Sequence, residues 1–64
     1  MTRISVYESG YDRALFQGEV PIVPRIGESI VLPGIAPYHF LLVINIIHRV
    51  GTGRTDIICE RRNL

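Results

Sequence analysis

A chain of 64 residues makes one domain at most, and a domain this short buries only about 60% of the surface its unfolded form exposes. With 47% apolar and 20% charged residues it belongs among folded globular domains, and a net charge of +1 leaves nucleic-acid binding to a local basic patch rather than to overall charge. A single cysteine excludes an intrachain disulfide, and Cys59 with two widely spaced histidines matches no zinc spacing. No cofactor is expected, and oligomerisation is left as the supplement to a core worth only about 3–5 kcal/mol.

Residues 3–8 alternate, with Ile4 and Val6 on one side and Arg3, Ser5 and Tyr7 on the other, the period of a half-buried strand. The same N-terminal stretch lacks the apolar core and small-residue cleavage site of a signal peptide. Residues 9–12 read as a turn. Residues 13–17 are either one helical turn or an extended connection, being too short for more. Residues 18–24 hold two prolines, which cannot donate to a sheet ladder, so a strand there is an edge. A turn over residues 24–28, with Gly27 free to take positive φ, feeds a strand over residues 29–32. Pro33-Gly34 ends that strand, and residues 35–37 complete a loop stiffened by Pro37.

Residues 38–49 carry β-branched and aromatic side chains with no Gly or Pro, which argues strand over helix. The even positions Tyr38, Phe40, Leu42, Ile44 and Ile46 are wholly apolar, while the odd positions His39, Leu41, Val43, Asn45, Ile47 and Arg49 are mixed. A strand of this length bends at a bulge, and Asn45 is the expected place. Its apolar run, interrupted at Asn45, is far short of the roughly 20 residues that cross a bilayer. With an unpaired thiol and no leader, the expectation is a cytoplasmic protein with no membrane partner. Residues 50–54, with glycines at 51 and 53, read as a hairpin loop. The partner strand is residues 55–61, with Ile57 and Cys59 inward and Asp56 and Glu60 outward, before a short tail.

These elements predict a single all-β domain over residues 1–64, a small antiparallel four- to five-stranded barrel of the SH3-like or OB-like kind. A parallel arrangement is not expected, because no segment supplies a crossover helix.

Catalytic chemistry finds little support. Alternation puts Cys59 inside, where a thiol is a small apolar side chain rather than a nucleophile. His39 and His48, nine residues apart, fall on opposite faces of a regular strand. The carboxylates lie in turns or on outward faces with no recognisable pair, and the 51–54 glycines lack the following helix of a phosphate loop. The expectation is therefore a protein that is not an enzyme.

Two binding surfaces remain. If Leu41, Val43 and Ile47 lie on the outer face of the long strand, they form an apolar patch that a monomer rarely leaves uncovered. That points to a protein-interaction, adaptor or inhibitor module that pairs with itself or with a host protein. All seven basic residues are arginine. Arg49, Arg54, Arg61 and Arg62 flank one hairpin, where their guanidinium forks suit phosphate or carboxylate. With Tyr7, Tyr11 or Tyr38 nearby they would bind single-stranded nucleic acid, RNA in particular, as a base-stacking platform with a phosphate track.

The sequence Pro24-Arg25-Ile26-Gly27-Glu28-Ser29-Ile30-Val31-Leu32, followed by the apolar strand ending His48-Arg49 and a last strand ending Glu60-Arg61, resembles small phage and bacterial barrel proteins over residues 20–62. That resemblance implies a phage or mobile-element origin and no established activity. Residues 25–32 are also similar to the opening strand of carbon-storage-regulator RNA-binding proteins, which are interlocked β dimers. That family begins its chain with this element and ends in a helix, whereas here a 24-residue segment precedes it and the chain ends on a strand.

Overall fold

The structure, a computed structural model, describes residues 1–35 and 39–63. The expected Pro37 loop and the start of the long strand at Tyr38 lie outside the described residues, as does Leu64. The described residues form five strands: β1 (Thr2–Glu8), β2 (Ala14–Val20), β3 (Ser29–Ile30), β4 (His39–Arg49) and β5 (Arg54–Asn63). β1 forms where the alternation predicts it. β2 resolves the ambiguity of residues 13–17 in favour of an extended chain and stops at Val20, because Pro21 has no N–H to give a ladder. β3 is only two residues long, since Val31 and Leu32 leave the ladder ahead of Pro33. The turn before it is as expected: Gly27 has φ 92°, and the Glu28 N–H donates to the Arg25 carbonyl at 3.0 Å.

The strands form one curled sheet in the order β2-β1-β5-β4-β3. β1 and β2 pair antiparallel, as do β4 with β5 and β3 with β4, but β1 lies parallel to β5, from Arg3 opposite Arg54 to Glu8 opposite Cys59. The all-antiparallel expectation is thus corrected. A parallel pair needs a long connection, and β2, β3 and β4 themselves provide it, so no crossover helix is required. Nor does the curl close into an SH3-like or OB-like barrel. It is a half-barrel whose edges are β2 and β3.

The bulge in β4 decides which side chains are inside. Val43 pairs with Cys59 and Asn45 with Ile58, leaving Ile44 as the extra residue, so the kink falls beside the expected Asn45. Before it the odd residues Leu41 and Val43 face the core; after it the inward parity changes and Ile46 packs there. Ile4, Val6, Ile57 and Cys59 complete the buried cluster, and Val23, Leu32 and Ile35 from the 21–35 segment cover it. Ile57 and Cys59 point inward as alternation requires. On the opposite, outer face the register aligns Arg3–Arg54–Arg49 in one row and Gln17–Ser5–Asp56–Ile47 in the next.

Candidate functional site

The four hairpin arginines do not form one cluster. Arg49 and Arg54 are opposite each other at the base of the β4–β5 hairpin, whereas Arg61 and Arg62 lie at the other end of β5, roughly 23 Å away at about 3.3 Å per residue. Arg61 is held there by Glu8 at 3.1 Å, and Arg62 by Glu60 at 2.6 Å. The parallel seam instead brings up Arg3, directly opposite Arg54. Arg3, Arg49, Arg54 and Thr52 line one open cleft of about 430 Å³. Sequence reasoning missed Arg3, because only a β1–β5 pairing that it set aside places that residue beside the hairpin.

Asp56 lies beneath this row. It is on the outer face, as alternation predicts, but only 2% exposed, because two arginines fold over it. Arg49 Nε donates to Asp56 Oδ2 at 2.6 Å. Arg54 Nε stands 3.4 Å from Asp56 Oδ1, at ion-pair distance but without hydrogen-bond alignment, and both atoms are shielded and otherwise unsatisfied. The hairpin is held by residue 52: the Thr52 N–H and Oγ1–H both donate to the Arg49 carbonyl, at 3.2 and 2.8 Å. Gly51, with φ 91°, lets the loop turn without strain.

The tyrosines do not join the arginine row. Tyr7 is at the far end of β1 from Arg3, Tyr11 follows in the next turn, and Tyr38 lies outside the described residues. The expected base-stacking platform is therefore not assembled from Tyr7 or Tyr11.

The expected apolar patch is also redrawn. Leu41 and Val43 are 0% and 1% exposed, inside the protein's own core, so neither lies on the outer face; Ile47 does, at 41%. The bulge separates them by changing the inward parity between Val43 and Asn45. What the outer side of β4 carries is Ile44, 37% exposed, and Ile47, with Asn45 between them, and half-buried Leu42 and, from β5, Ile58. β3 covers this strand only near its start: Ser29 and Ile30 pair with Leu42 and Leu41, and the Gly27–Glu28 backbone bonds to Val43 at 2.9 Å in both directions. In the second half of β4, the Asn45 Oδ1 accepts the Ile46 N–H at 2.9 Å.

Cys59 is fully buried, and desolvation pushes its thiol up to about 11. The bulge turns His39 and His48 to the same side, against the expectation of opposite faces, but leaves them roughly 30 Å apart along β4. The Thr55 Oγ1 lies 3.4 Å from His48 Nδ1, and Arg61 lies 3.4 Å from His39 Nδ1. Glu28 is held below the usual carboxylate range by the Arg25 backbone N–H and guanidinium. Four of the six acidic side chains, Glu8, Glu28, Asp56 and Glu60, sit on arginines. A second cleft, of about 320 Å³, opens between β2 and β3 and is lined by apolar side chains including Val6, Phe16, Ile30 and Leu32. Among the described residues no helix is long and apolar enough to cross a membrane. No family model matches the chain, and neither does any curated protein or solved structure.

Proposed function

We propose that this protein is a non-enzymatic interaction module that pairs with a second copy of itself through the outer face of β4. The observation that carries the reading is the exposure of Ile44 and Ile47, which flank Asn45 on a strand that β3 leaves bare beyond Val43. An unpaired strand end with apolar side chains is a template for another chain. A thin core gives the pairing a thermodynamic role, because a chain of this length gains from a partner what a disulfide or metal supplies elsewhere. Cytoplasmic residence belongs to the same reading, supported by the lone, buried thiol of Cys59.

Size-exclusion chromatography with light scattering at about 100 µM protein should give twice the chain mass. Ile47→Glu should convert the dimer to a monomer whose far-ultraviolet spectrum is unchanged, whereas Leu41→Glu, which places a charge in the core, should unfold the chain. A wild-type protein that runs as a monomer at this concentration refutes self-association. The exposed strip would then serve a different protein, as an adaptor or inhibitor surface, and the host-protein partner would become the leading reading.

A further inference from the structure

We infer that the outer end of the β4–β5 hairpin is a phosphate-binding site built by Arg3, Arg54, Arg49 and Thr52, distinct from the apolar strip on β4. Three observations carry it. The first is register: Arg3, Arg54 and Arg49 are consecutive neighbours across three strands. Neighbouring strands lie about 4.8 Å apart, so three guanidinium groups leave the sheet within roughly 10 Å. Like charges placed directly opposite one another destabilise a sheet. A counter-charge over the row relieves that repulsion.

The second observation is that the internal counter-charge is insufficient. Asp56 is one carboxylate under two arginines; it holds Arg49 by a hydrogen bond and leaves Arg54 Nε and its own Oδ1 unsatisfied. Its role is to orient the guanidinium forks over the cleft while cancelling one of three positive charges. Glu19 on β2 stands opposite Arg3, so with Asp56 two carboxylates face three arginines and the row keeps one net positive charge. The third observation is the cleft itself, about 430 Å³ and lined by the three arginines with Thr52. The Thr52 N–H and hydroxyl both donate to the Arg49 carbonyl, which fixes the loop beside the guanidiniums rather than leaving it to close over them.

This chemistry fits a phosphate oxyanion, because planar forks pair with its oxygens two at a time. The arginine row has no aromatic partner in Tyr7 or Tyr11, so a nucleic acid would be held chiefly by its phosphodiester backbone. Two sources present this group: free phosphate and the backbone of a single strand.

The test uses the full chain and two probes. Fluorescence anisotropy with a labelled 12-nucleotide poly-dT strand is read at several salt concentrations, and titration with inorganic phosphate is followed by the arginine side-chain Nε–Hε resonances. For a backbone source, binding should weaken with salt at a slope near −2 in log–log form, about −0.7 for each of three phosphates. Arg3→Ala should weaken it about tenfold, and Glu19→Gln should strengthen it. Arg13→Ala removes the same charge elsewhere and should change it little. If phosphate alone shifts the Arg49 and Arg54 resonances and the strand does not bind, the site takes a small phosphate ligand, and the same Arg3 dependence is expected. Equal losses in Arg3→Ala and Arg13→Ala would overturn the site, showing only diffuse attraction to charge. Binding of neither probe would overturn it as well. Arg54→Lys keeps the charge but not the fork and should also weaken binding, which separates fork recognition from charge in a folded protein.

Discussion

Asp56 and Cys59 are both buried residues on β5, yet they face opposite sides of the sheet and obey different physics. A charge at 2% exposure is tolerated because its oxygens face two guanidiniums whose outer parts remain hydrated. Cys59 has no such company; its surroundings are apolar, so ionisation there is opposed by desolvation alone. In the folded protein the thiol, raised to about 11, should be unreactive toward a disulfide reagent at pH 8 and react fully once urea unfolds the chain. The linkage has a definite sign. The unfolded chain releases this proton at lower pH than the folded one, so the stabilising contribution is intact below pH 9 and is lost as pH rises toward 11. Urea unfolding midpoints measured from pH 8 to 11 should therefore decline, and in Cys59→Ala, a less stable protein throughout, the part of the decline due to this group should disappear.

At the scale of elements the bulge in β4 has the largest consequences. One extra residue between Val43 and Asn45 lets a single strand present Leu41 and Val43 inward at one end and Ile46 inward at the other. Asn45 stabilises the kink by accepting the Ile46 N–H on its own side chain, a local bond of a kind asparagine makes readily and apolar residues cannot. Asn45→Ala should cost about 0.5–1.5 kcal/mol and speed hydrogen exchange at the Ile46 amide more than at Ile57 across the ladder. An unchanged Ile46 exchange rate would mean that the ladder alone sets the kink. The hairpin shows the complementary case, in which glycine at a position of positive φ and short local hydrogen bonds define the geometry, and the 25–28 turn adds to the same devices its backbone bonds to Val43.

Across the whole molecule, the parallel seam ties the first strand to the last, so the core cannot be assembled from a local part of the chain. β1 sits between β2 and β5, and Ile4 and Val6 supply part of the buried cluster. A chain shortened to begin after Glu8 should lose cooperative unfolding altogether, as circular dichroism during heating would show. A folded remainder would mean that the β3–β4–β5 hairpin layer is stable by itself. Val6→Ala should cost about 1–3 kcal/mol from a small total. Contacts so distant in sequence also place folding in the slow range for a domain of this size.

What the sequence determined by itself was the first strand, the long strand with its hairpin partner, and the turns, while the state of residues 13–17 stayed open. Alternation in residues 3–8, the β-branched run of β4, the prolines of residues 18–24 that mark an edge and the glycine turns are all local signals, because they depend on side-chain period and backbone freedom alone. The long strand's bend was legible too, through its length and a polar residue in an apolar run. Only the tertiary structure decided how these strands pair. Whether β5 meets β1 in parallel is a competition between long-range pairings that no local pattern records, and that choice brought Arg3 to Arg54 and sent Arg61 and Arg62 elsewhere. The bulge settled the rest: one residue more or less changes which side of β4 is buried, and so moved the candidate apolar strip from Leu41 and Val43 to Ile44, keeping Ile47.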